Sequence, residues 1–442
     1  MKCFQLIPKG FNFKYPAGDI RRVLFLGIGL TVKLLIGLVV VRLSAEGLGP
    51  DLFGITGQLS SLLSIISLVA GAGIGVGITK VYAEKQLLDR RIYAFIFVAR
   101  RIIFVCSFTL AAILIIFSGW IVKNLFINFQ DSNWLIMGII LSIFPIGYSS
   151  IGQGIINGYN RSDIYALTLI FGGLLGLVGF WQFKYNFGPT GIFIGLIWMV
   201  IAQALIVTIF GILIEKRNHQ YFKKYDISLI KLWDKGRILL QYGSLSIVAG
   251  ALIPFAFIII RLLIEKYEDP QIFGLWQATN RISEAYGQLP LLFISTVIFP
   301  RFARISVDTL KTINVIKAYV FIAILIFSIC AIVFFTRSYW IDLVFTPSFI
   351  GMEHLLPLQL AGDVFRMMSY TGTSILAARG AIKVCIAGEF MQAIFLVASS
   401  MILIPRYFAY GALYAYVFSY IIYFIATIIA LWIHQRKITL IK

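Results

Sequence analysis

Long apolar runs recur from one end of the chain to the other, and they constrain its fold more than any other feature. A run of about 18 apolar residues can cross a bilayer as a helix, and in lipid a helix satisfies its own backbone hydrogen bonds. The 442 residues are 60% hydrophobic and only 13% charged, whereas a soluble domain carries about 25% charged residues. We therefore predict an all-α polytopic membrane protein.

Twelve transmembrane helices are predicted, and the basic residues between them indicate their orientation. With both termini in the cytoplasm, the predicted cytoplasmic segments hold 27 Lys and Arg residues and the external loops hold five, as the positive-inside rule requires. The net charge of +19 is then mostly a surface that faces anionic lipid headgroups, so we expect no nucleic-acid binding. The predicted helices run over 23–44, 54–79, 102–121, 134–157, 163–183, 190–214, 238–262, 273–299, 314–336, 353–376, 383–404 and 411–433.

An internal repeat divides these helices into two halves. PDLFG at 50–54 matches PQIFG at 270–274, and Gly191 matches Gly411 at the same offset of 220. Six helices per half make the halves parallel, so we predict two six-helix bundles related by an axis along the membrane normal, as in alternating-access transporters. The predicted units are a cytoplasmic basic tail at 1–22, an N-terminal bundle at 23–214, a cytoplasmic basic linker at 215–237, a C-terminal bundle at 238–433 and a cytoplasmic tail at 434–442.

Polar stripes lie within two predicted helices of the second half. A charge at a helix centre costs about 2.5–3.5 kcal/mol on insertion scales, so it faces a partner or a cavity. The spacing of 4, 3 and 4 residues puts each stripe on one helix face, and two interpretations remain open. Arg281–Glu284 and Asp363–Arg366 are structural ion pairs, or the stripes line a hydrated cavity. The stripes are Gln277, Arg281, Glu284 and Gln288, and Gln359, Asp363, Arg366 and Tyr370.

Three further cations lie within predicted helices. Lys33 has no acid near it in sequence, so it must reach water, an acid on another helix or an anionic ligand. Arg42 and Arg261 lie near the outer helix ends, where snorkelling to headgroups is favoured. The four cysteines and three histidines are scattered, so we predict neither disulfides nor a metal site.

Several segments resemble the Wzx-type polysaccharide flippases, closest to those for lipid III (enterobacterial common antigen) and O-antigen units. They include FGLWQATNRISEAY (273–286), LQLAGDVFRMMSY (358–370) and AGEFMQ (387–392), and the likeness runs along nearly the whole chain. The resemblance implies a MATE-like member of the multidrug/oligosaccharidyl-lipid/polysaccharide exporter superfamily in the bacterial inner membrane. Such a protein moves undecaprenyl-pyrophosphate-linked glycan units from the cytoplasmic to the periplasmic leaflet. Arg281 departs from the family pattern, so O-antigen, common antigen and capsule units all remain open.

The resemblance and the polar residues together give the candidate site. A pyrophosphate needs cationic partners, and the amides and Tyr370 can hydrogen-bond to sugars. Asp363 and Glu389 are candidates for proton or sodium coupling, and no other cofactor is expected. The expected partners are the lipid-linked oligosaccharide, the bilayer, a polysaccharide polymerase and chain-length machinery. The substrate-binding candidates are Lys33, Arg42, Arg261, Gln277, Arg281, Glu284, Gln288, Gln359, Arg366 and Tyr370.

Three other functions are compatible with a polytopic helical membrane protein. A multidrug exporter of the same superfamily would bind amphipathic cations in an acidic cavity, but the helix interiors hold six bases against three acids. A glycan polymerase or ligase would need a sizeable external loop and a catalytic constellation, and neither is present in the sequence, so we expect a transporter and no enzyme. A simple channel is not excluded by polar stripes alone.

Overall fold

The computed structural model describes residues 17–83, 89–126, 132–218, 247, 250–304 and 312–440. Within these ranges the chain is helical almost throughout and contains no strand. The basic tail predicted at 1–22 and the linker predicted at 215–237 lie largely outside them. The helices of the first half are α1 (Ala17–Ala70), α2 (Ile74–Ala83), α3 (Asp89–Ile116), α4 (Ser118–Leu125), α5 (Ser132–Gly158) and α6 (Ser162–Asn218).

The second half is also built from helices. Its α8 continues through a π-helical turn at Ile294–Ile298 into α9, and a 3₁₀ helix at Pro347–His354 precedes α12. In the part of the chain that the structure describes, seven helical stretches are long and apolar enough to cross a membrane. The predicted all-α membrane fold is confirmed. The helices are α7 (250–267), α8 (Pro270–Phe293), α9 (Phe299–Arg304), α10 (Thr312–Phe335), α11 (Arg337–Val344), α12 (Leu356–Ala378) and α13 (Ile382–Leu440).

The helices α6 and α13 each contain two predicted spans, whereas α1 contains the first predicted span and ends at Ala70, within the second. A single non-helical residue divides α1 at Gly49, α6 at Gly188 and α13 at Phe408. The sequence analysis predicted short loops at these points, whereas the structure has sharp kinks. Proline follows two of the three, at Pro50 and Pro189. Proline favours the first turn of a new helix because its missing N–H is not needed there.

The predicted start of the third helix is wrong by several turns. The third helix was expected to begin at residue 102, but α3 begins at Asp89. Four arginines lie between residues 89 and 101, and because of their low hydropathy the predicted span begins only after them. A helix backbone continues past the bilayer at no cost in hydrogen bonds, so charge marks the membrane edge and not the helix end.

The internal repeat is visible in the backbone. Asn160 and Gly380, which are 220 residues apart, both have positive φ angles, 54° and 77°, at the link between two helices. Gly188 has φ 56° and ψ −132°, and Phe408, again 220 residues on, has φ 56° and ψ −133°. The two halves therefore bend their chains at equivalent positions.

The repeated PxxFG segments pack against each other where α1 meets α8. A Cβ atom on Gly274 would lie 1.8 Å from the carbonyl oxygen of Pro50, and one on Gly54 would lie 2.3 Å from the ring of Phe273. Real side chains do not reach such distances, so glycine is required at both places. This close contact joins the two halves and positions the cavity described next.

Candidate functional site

A cavity of about 690 Å³ lies between the two halves. The first half lines it from α1 and α6, and the second half lines it from α7, α8 and the end of α11. Buried Phe53 and Phe345 form an apolar wall, with ring centroids 5.7 Å apart, and Phe349 packs behind them. The charged side chains of the lining are Lys33, Arg281 and Glu284, so together they carry a net charge of +1. Of the predicted substrate-binding residues, this cavity brings together Lys33, Arg281, Glu284 and Gln288.

Arg281 supports both interpretations of its stripe. Its Nη1 atom donates to Glu284 at 2.9 Å, so the predicted ion pair is present. Its Nη2 atom donates to the carbonyl oxygen of Thr56 at 3.2 Å and to the hydroxyl of Ser60. Arg281 therefore joins α8 to α1 across the two halves while it lines the cavity. The Glu284 side chain remains 51% exposed.

Lys33 differs from Arg281 because it has no counter-ion among the residues that the structure describes. Its side chain lines the cavity from α1, and it forms no ion pair with any residue that the structure describes. Of the three places proposed for its charge, an acid on another helix is therefore absent from the described residues. Water or an anionic ligand remains.

A row of serines was missed in the sequence analysis. The sequence analysis named no candidate residue in the second part of α1, but three of its serines line the cavity. Their spacing of 4 and 3 residues puts them on one face, the same spacing that identified the stripe of α8. The signal was present, but small hydroxyl side chains were not counted as polar. The serines are Ser60, Ser64 and Ser67, and Ser44 lies on the first part of α1.

Arg261 and Gln277 lie outside the cavity, and the expectation that Arg261 snorkels to headgroups is wrong. Arg261 is only 3% exposed, and it donates to Gln277 at 3.0 Å and to Ser61 of the other half at 2.6 Å. Its guanidinium lies 5.5 Å from the ring centroid of Phe257. The stripe of α8 is therefore divided, because Gln277 faces α7 whereas Arg281 faces the cavity.

Arg42 also does not line the cavity. It pairs with Glu46 at 2.8 Å and donates to the backbone oxygen of Asp342 in α11 at 2.7 Å. Lys184 lies 3.7 Å from the same glutamate. Arg42 therefore links the two halves close to the kink of α1 at Gly49. Its role in substrate binding remains a prediction.

The first three residues of the α12 stripe are enclosed, so they do not line the larger cavity with the stripe of α8. Asp363 is fully buried and pairs with Arg366 at 2.9 Å. It also accepts hydrogen bonds from Tyr286 and from Tyr416, the latter at 2.7 Å. Gln359 and Arg366 each donate to the hydroxyl of Ser283 on α8 at 3.2 Å. For this pair the structure favours the interpretation as an ion pair that joins helices.

A second cavity of about 340 Å³ lies in the C-terminal half. Tyr370, Glu389, Gln392 and Tyr423 line it together with Ile253. Glu389 forms no hydrogen bond and no ion pair with the described residues. In the same part of the chain, no group of three or more His, Cys, Asp or Glu side chains is placed to hold a metal ion.

Comparisons with known proteins agree with this architecture. Residues 20–306 match the family "Polysaccharide biosynthesis protein". The Lipid III flippase of Escherichia coli (strain K12) is 26% identical over 396 residues, which cover 89% of this chain and 93% of that protein.

Solved structures show the same fold. The Lipid II flippase MurJ in an inward closed conformation superposes with a TM-score of 0.71 at 14% identity, covering 94% of this chain and 90% of that one. A multidrug resistance MATE family transporter of the MOP superfamily, in an inward-facing conformation, gives a TM-score of 0.70 at 13% identity, covering 94% and 98%. The fold is therefore MATE-like and the protein is a multi-pass membrane protein. Because the family match spans well over half of its length, the chain belongs to the polysaccharide biosynthesis protein family.

Proposed function

We propose that this protein is a flippase for lipid-linked oligosaccharides and not an enzyme. It moves undecaprenyl-pyrophosphate-linked glycan units of the O-antigen, common-antigen or capsule type from the cytoplasmic to the periplasmic leaflet of the bacterial inner membrane. The observation that carries the proposal is the net positive cavity between the two halves of a polysaccharide-family member. Its likeness to a Lipid III flippase over 89% of its length supports the same cargo class.

Lys33 is the residue best placed to hold the pyrophosphate. It lines the cavity without an ion-pair partner among the described residues, so its charge is available to a ligand. Arg281 already donates to Glu284 and Ser60, so a phosphate would share its guanidinium with these groups. In a cavity enclosed by apolar side chains, a cation–phosphate contact is stronger than in water.

The uncharged polar lining suits the glycan. Ser60, Ser64, Ser67 and Gln288 offer hydroxyl and amide groups, which both donate and accept hydrogen bonds. Sugar hydroxyls also donate and accept. The exposed carboxylate of Glu284 adds an acceptor beside them.

Alternating access requires the two halves to separate where they now meet. Among the described contacts of α1 with α7 and α8 are hydrogen bonds, from Arg281 of α8 to Ser60 and from Arg261 of α7 to Ser61. Such contacts can break and reform without covalent change. With both termini placed in the cytoplasm by the positive-inside rule, the kink of α1 at Gly49 faces the periplasm.

A multidrug exporter of the same superfamily is the second candidate. It shares the fold, but a carrier of organic cations would hold unpaired acids in its central cavity. Here the only acid among the described lining residues of the larger cavity is Glu284, and Arg281 pairs with it. The charge of the cavity therefore favours an anionic cargo.

Glu389 is the better of the two coupling candidates. Asp363 is held by Arg366, Tyr286 and Tyr416, whereas Glu389 faces a cavity with no hydrogen bond or ion pair from the described residues. A carboxylate that is free in the membrane is suited to bind a proton or a cation. We propose coupling at Glu389 to a proton gradient.

Reconstitution in vesicles tests the proposal. The cargo is a labelled undecaprenyl-pyrophosphate-linked oligosaccharide, and its protection from an external glycosidase reports translocation with and without imposed proton and sodium gradients. We expect translocation by the unmodified protein and a loss of tenfold or more in Lys33→Gln. Lys123→Gln is the matched control, because Lys123 is exposed at the end of α4 and outside the cavity.

The outcomes separate the parts of the proposal. Absence of translocation by the unmodified protein would contradict the flippase function. An unchanged rate in Lys33→Gln would remove Lys33 from the substrate site. A rate that is indifferent to both gradients would exclude coupling.

A further inference from the structure

The second cavity is lined by a buried amide that forms no hydrogen bond with the described residues. Gln392 is 1% exposed, yet neither its amide nitrogen nor its amide oxygen has a hydrogen-bond partner among the described residues. Buried polar groups are nearly always paired, so an unpaired one indicates a ligand or an ordered water. Gln392 lines the cavity, so its unpaired amide lies beside any ligand that the cavity holds.

Neighbouring side chains extend this polar surface. Glu389 lies one helical turn before Gln392 on α13 and offers carboxylate oxygens without hydrogen-bond partners among the described residues. The Gln392 amide can donate through its nitrogen and accept through its oxygen. The cavity therefore presents donors and acceptors together, which a ligand rich in hydroxyl groups requires.

Aromatic side chains form the rest of the lining. Tyr370 from α12 and Tyr423 from α13 both pack on Tyr420, with ring centroids 6.3 and 6.5 Å from it. The hydroxyl of Tyr423 is held by Thr373 at 2.9 Å, which fixes the orientation of the ring. Rigid aromatic rings beside polar groups are suited to a ligand with one apolar face and several hydroxyls.

The position of this cavity connects it to the larger one. Gly250, near the start of α7, lines both cavities, so the two spaces adjoin at this residue. The smaller volume, about 340 Å³, lies within the range of about 300–1,000 Å³ for small-molecule sites. A ligand in the larger cavity therefore lies beside a second polar surface.

We propose that the second cavity is a subsite for one neutral sugar ring of the cargo. The inference rests on the proposed flippase function. The sugar hydroxyls bind Gln392 and Glu389, and the apolar face of the ring packs against the tyrosines. The charged pyrophosphate stays at Lys33 in the larger cavity.

A bound metal cation is the competing occupant, and the donor set disfavours it. A cation is coordinated by oxygen atoms, so the amide nitrogen of Gln392 would remain unpaired beside it. A sugar hydroxyl accepts from that nitrogen. The volume also exceeds what one coordinated cation occupies.

Saturation-transfer NMR on the purified full chain in nanodiscs tests the subsite, with free N-acetylglucosamine and glucose as the probes. We expect a signal for at least one probe and a fivefold or greater loss in Gln392→Leu. Gln58→Leu is the matched control, because Gln58 is also 1% exposed with an unpaired amide but lies in α1, outside both cavities. An equal loss in both variants, or no signal in the unmodified protein, would overturn the subsite.

Two variants of Glu389 separate a sugar from a cation. Glutamine still hydrogen-bonds to hydroxyls, so Glu389→Gln keeps the signal within about threefold, whereas Glu389→Leu loses it. Sodium binding that both variants abolish, with sugar binding unaffected by either, would assign the cavity to a cation instead. Translocation of lipid-linked cargo by the unmodified protein in vesicles without any sugar signal would reject the subsite and leave the flippase function standing.

Discussion

At the scale of single residues, the same charge pattern has two different meanings. Arg281–Glu284 and Asp363–Arg366 have equal spacing in the sequence, but the first pair is partly exposed in a cavity and the second is enclosed. Helical spacing predicts that two residues share a face. It does not predict whether that face meets water or another helix, because tertiary packing decides this.

The buried pair gives a prediction about stability. We expect Asp363→Asn to lower the free energy of unfolding by about 3–5 kcal/mol, because Arg366 would then be buried without a counter-charge. Unfolding in detergent, followed by circular dichroism, measures the loss.

An exposed pair provides the control for this prediction. The side chains of Arg161 and Asp163 are 41% and 37% exposed and lie 2.8 Å apart. Asp163→Asn should cost about 0–1 kcal/mol, as exposed ion pairs do. Equal losses in the two variants would show that burial does not control the strength of the Asp363 pair.

At the scale of helices, the sequence predicted most of the architecture. The apolar runs gave the existence and order of the spans, since lipid permits few alternatives to a helix. The kinks were predicted only as interruptions, because hydropathy carries no information about dihedral angles. Glycine and proline at 49–50 and 188–189 marked two of them. The third, at Phe408, has no such marker.

Phe408 is strained, and its repeat partner shows how to relieve the strain. A non-glycine residue at φ 56° and ψ −133° costs on the order of 1–3 kcal/mol, and Gly188 occupies the equivalent place in the first half. The ring of Phe408 is 47% exposed, so its removal loses little packing. We expect Phe408→Gly to raise the free energy of unfolding by about 1 kcal/mol, measured by thermal unfolding in detergent.

Substitution of Phe408 by alanine distinguishes the effect of backbone strain from the effect of losing the aromatic ring. Phe408→Ala removes the same ring but keeps the steric penalty of a Cβ atom, so it should be less stable than Phe408→Gly. Gly188→Ala should be destabilising for the same reason. Alanine and glycine of equal stability at 408 would contradict the assignment of strain.

At the scale of the whole molecule, the contact between the halves is built from the repeat itself. The PxxFG segments were recognised in the sequence as a sign of duplication, but nothing in the sequence indicated that they touch. In the structure Gly274 lies against Pro50 and Gly54 lies against Phe273. The two contacts differ, because Gly274 meets the backbone of Pro50 whereas Gly54 meets the ring of Phe273. The duplicated segments therefore pack together, although their contacts are not symmetric.

Gly274→Ala tests this interface. The new Cβ atom would lie 1.8 Å from the carbonyl oxygen of Pro50, and a backbone atom cannot move aside as a flexible side chain does. We expect a loss of about 1–3 kcal/mol in stability, typical of overpacking, and slower translocation in vesicles because the halves no longer close. Gly27→Ala in α1 is the control, since nothing lies within 4 Å of its added Cβ atom. That variant should gain about 0.5–1 kcal/mol from helix propensity and translocate normally, so a shift of the same sign in both variants would contradict a tight contact at Gly274.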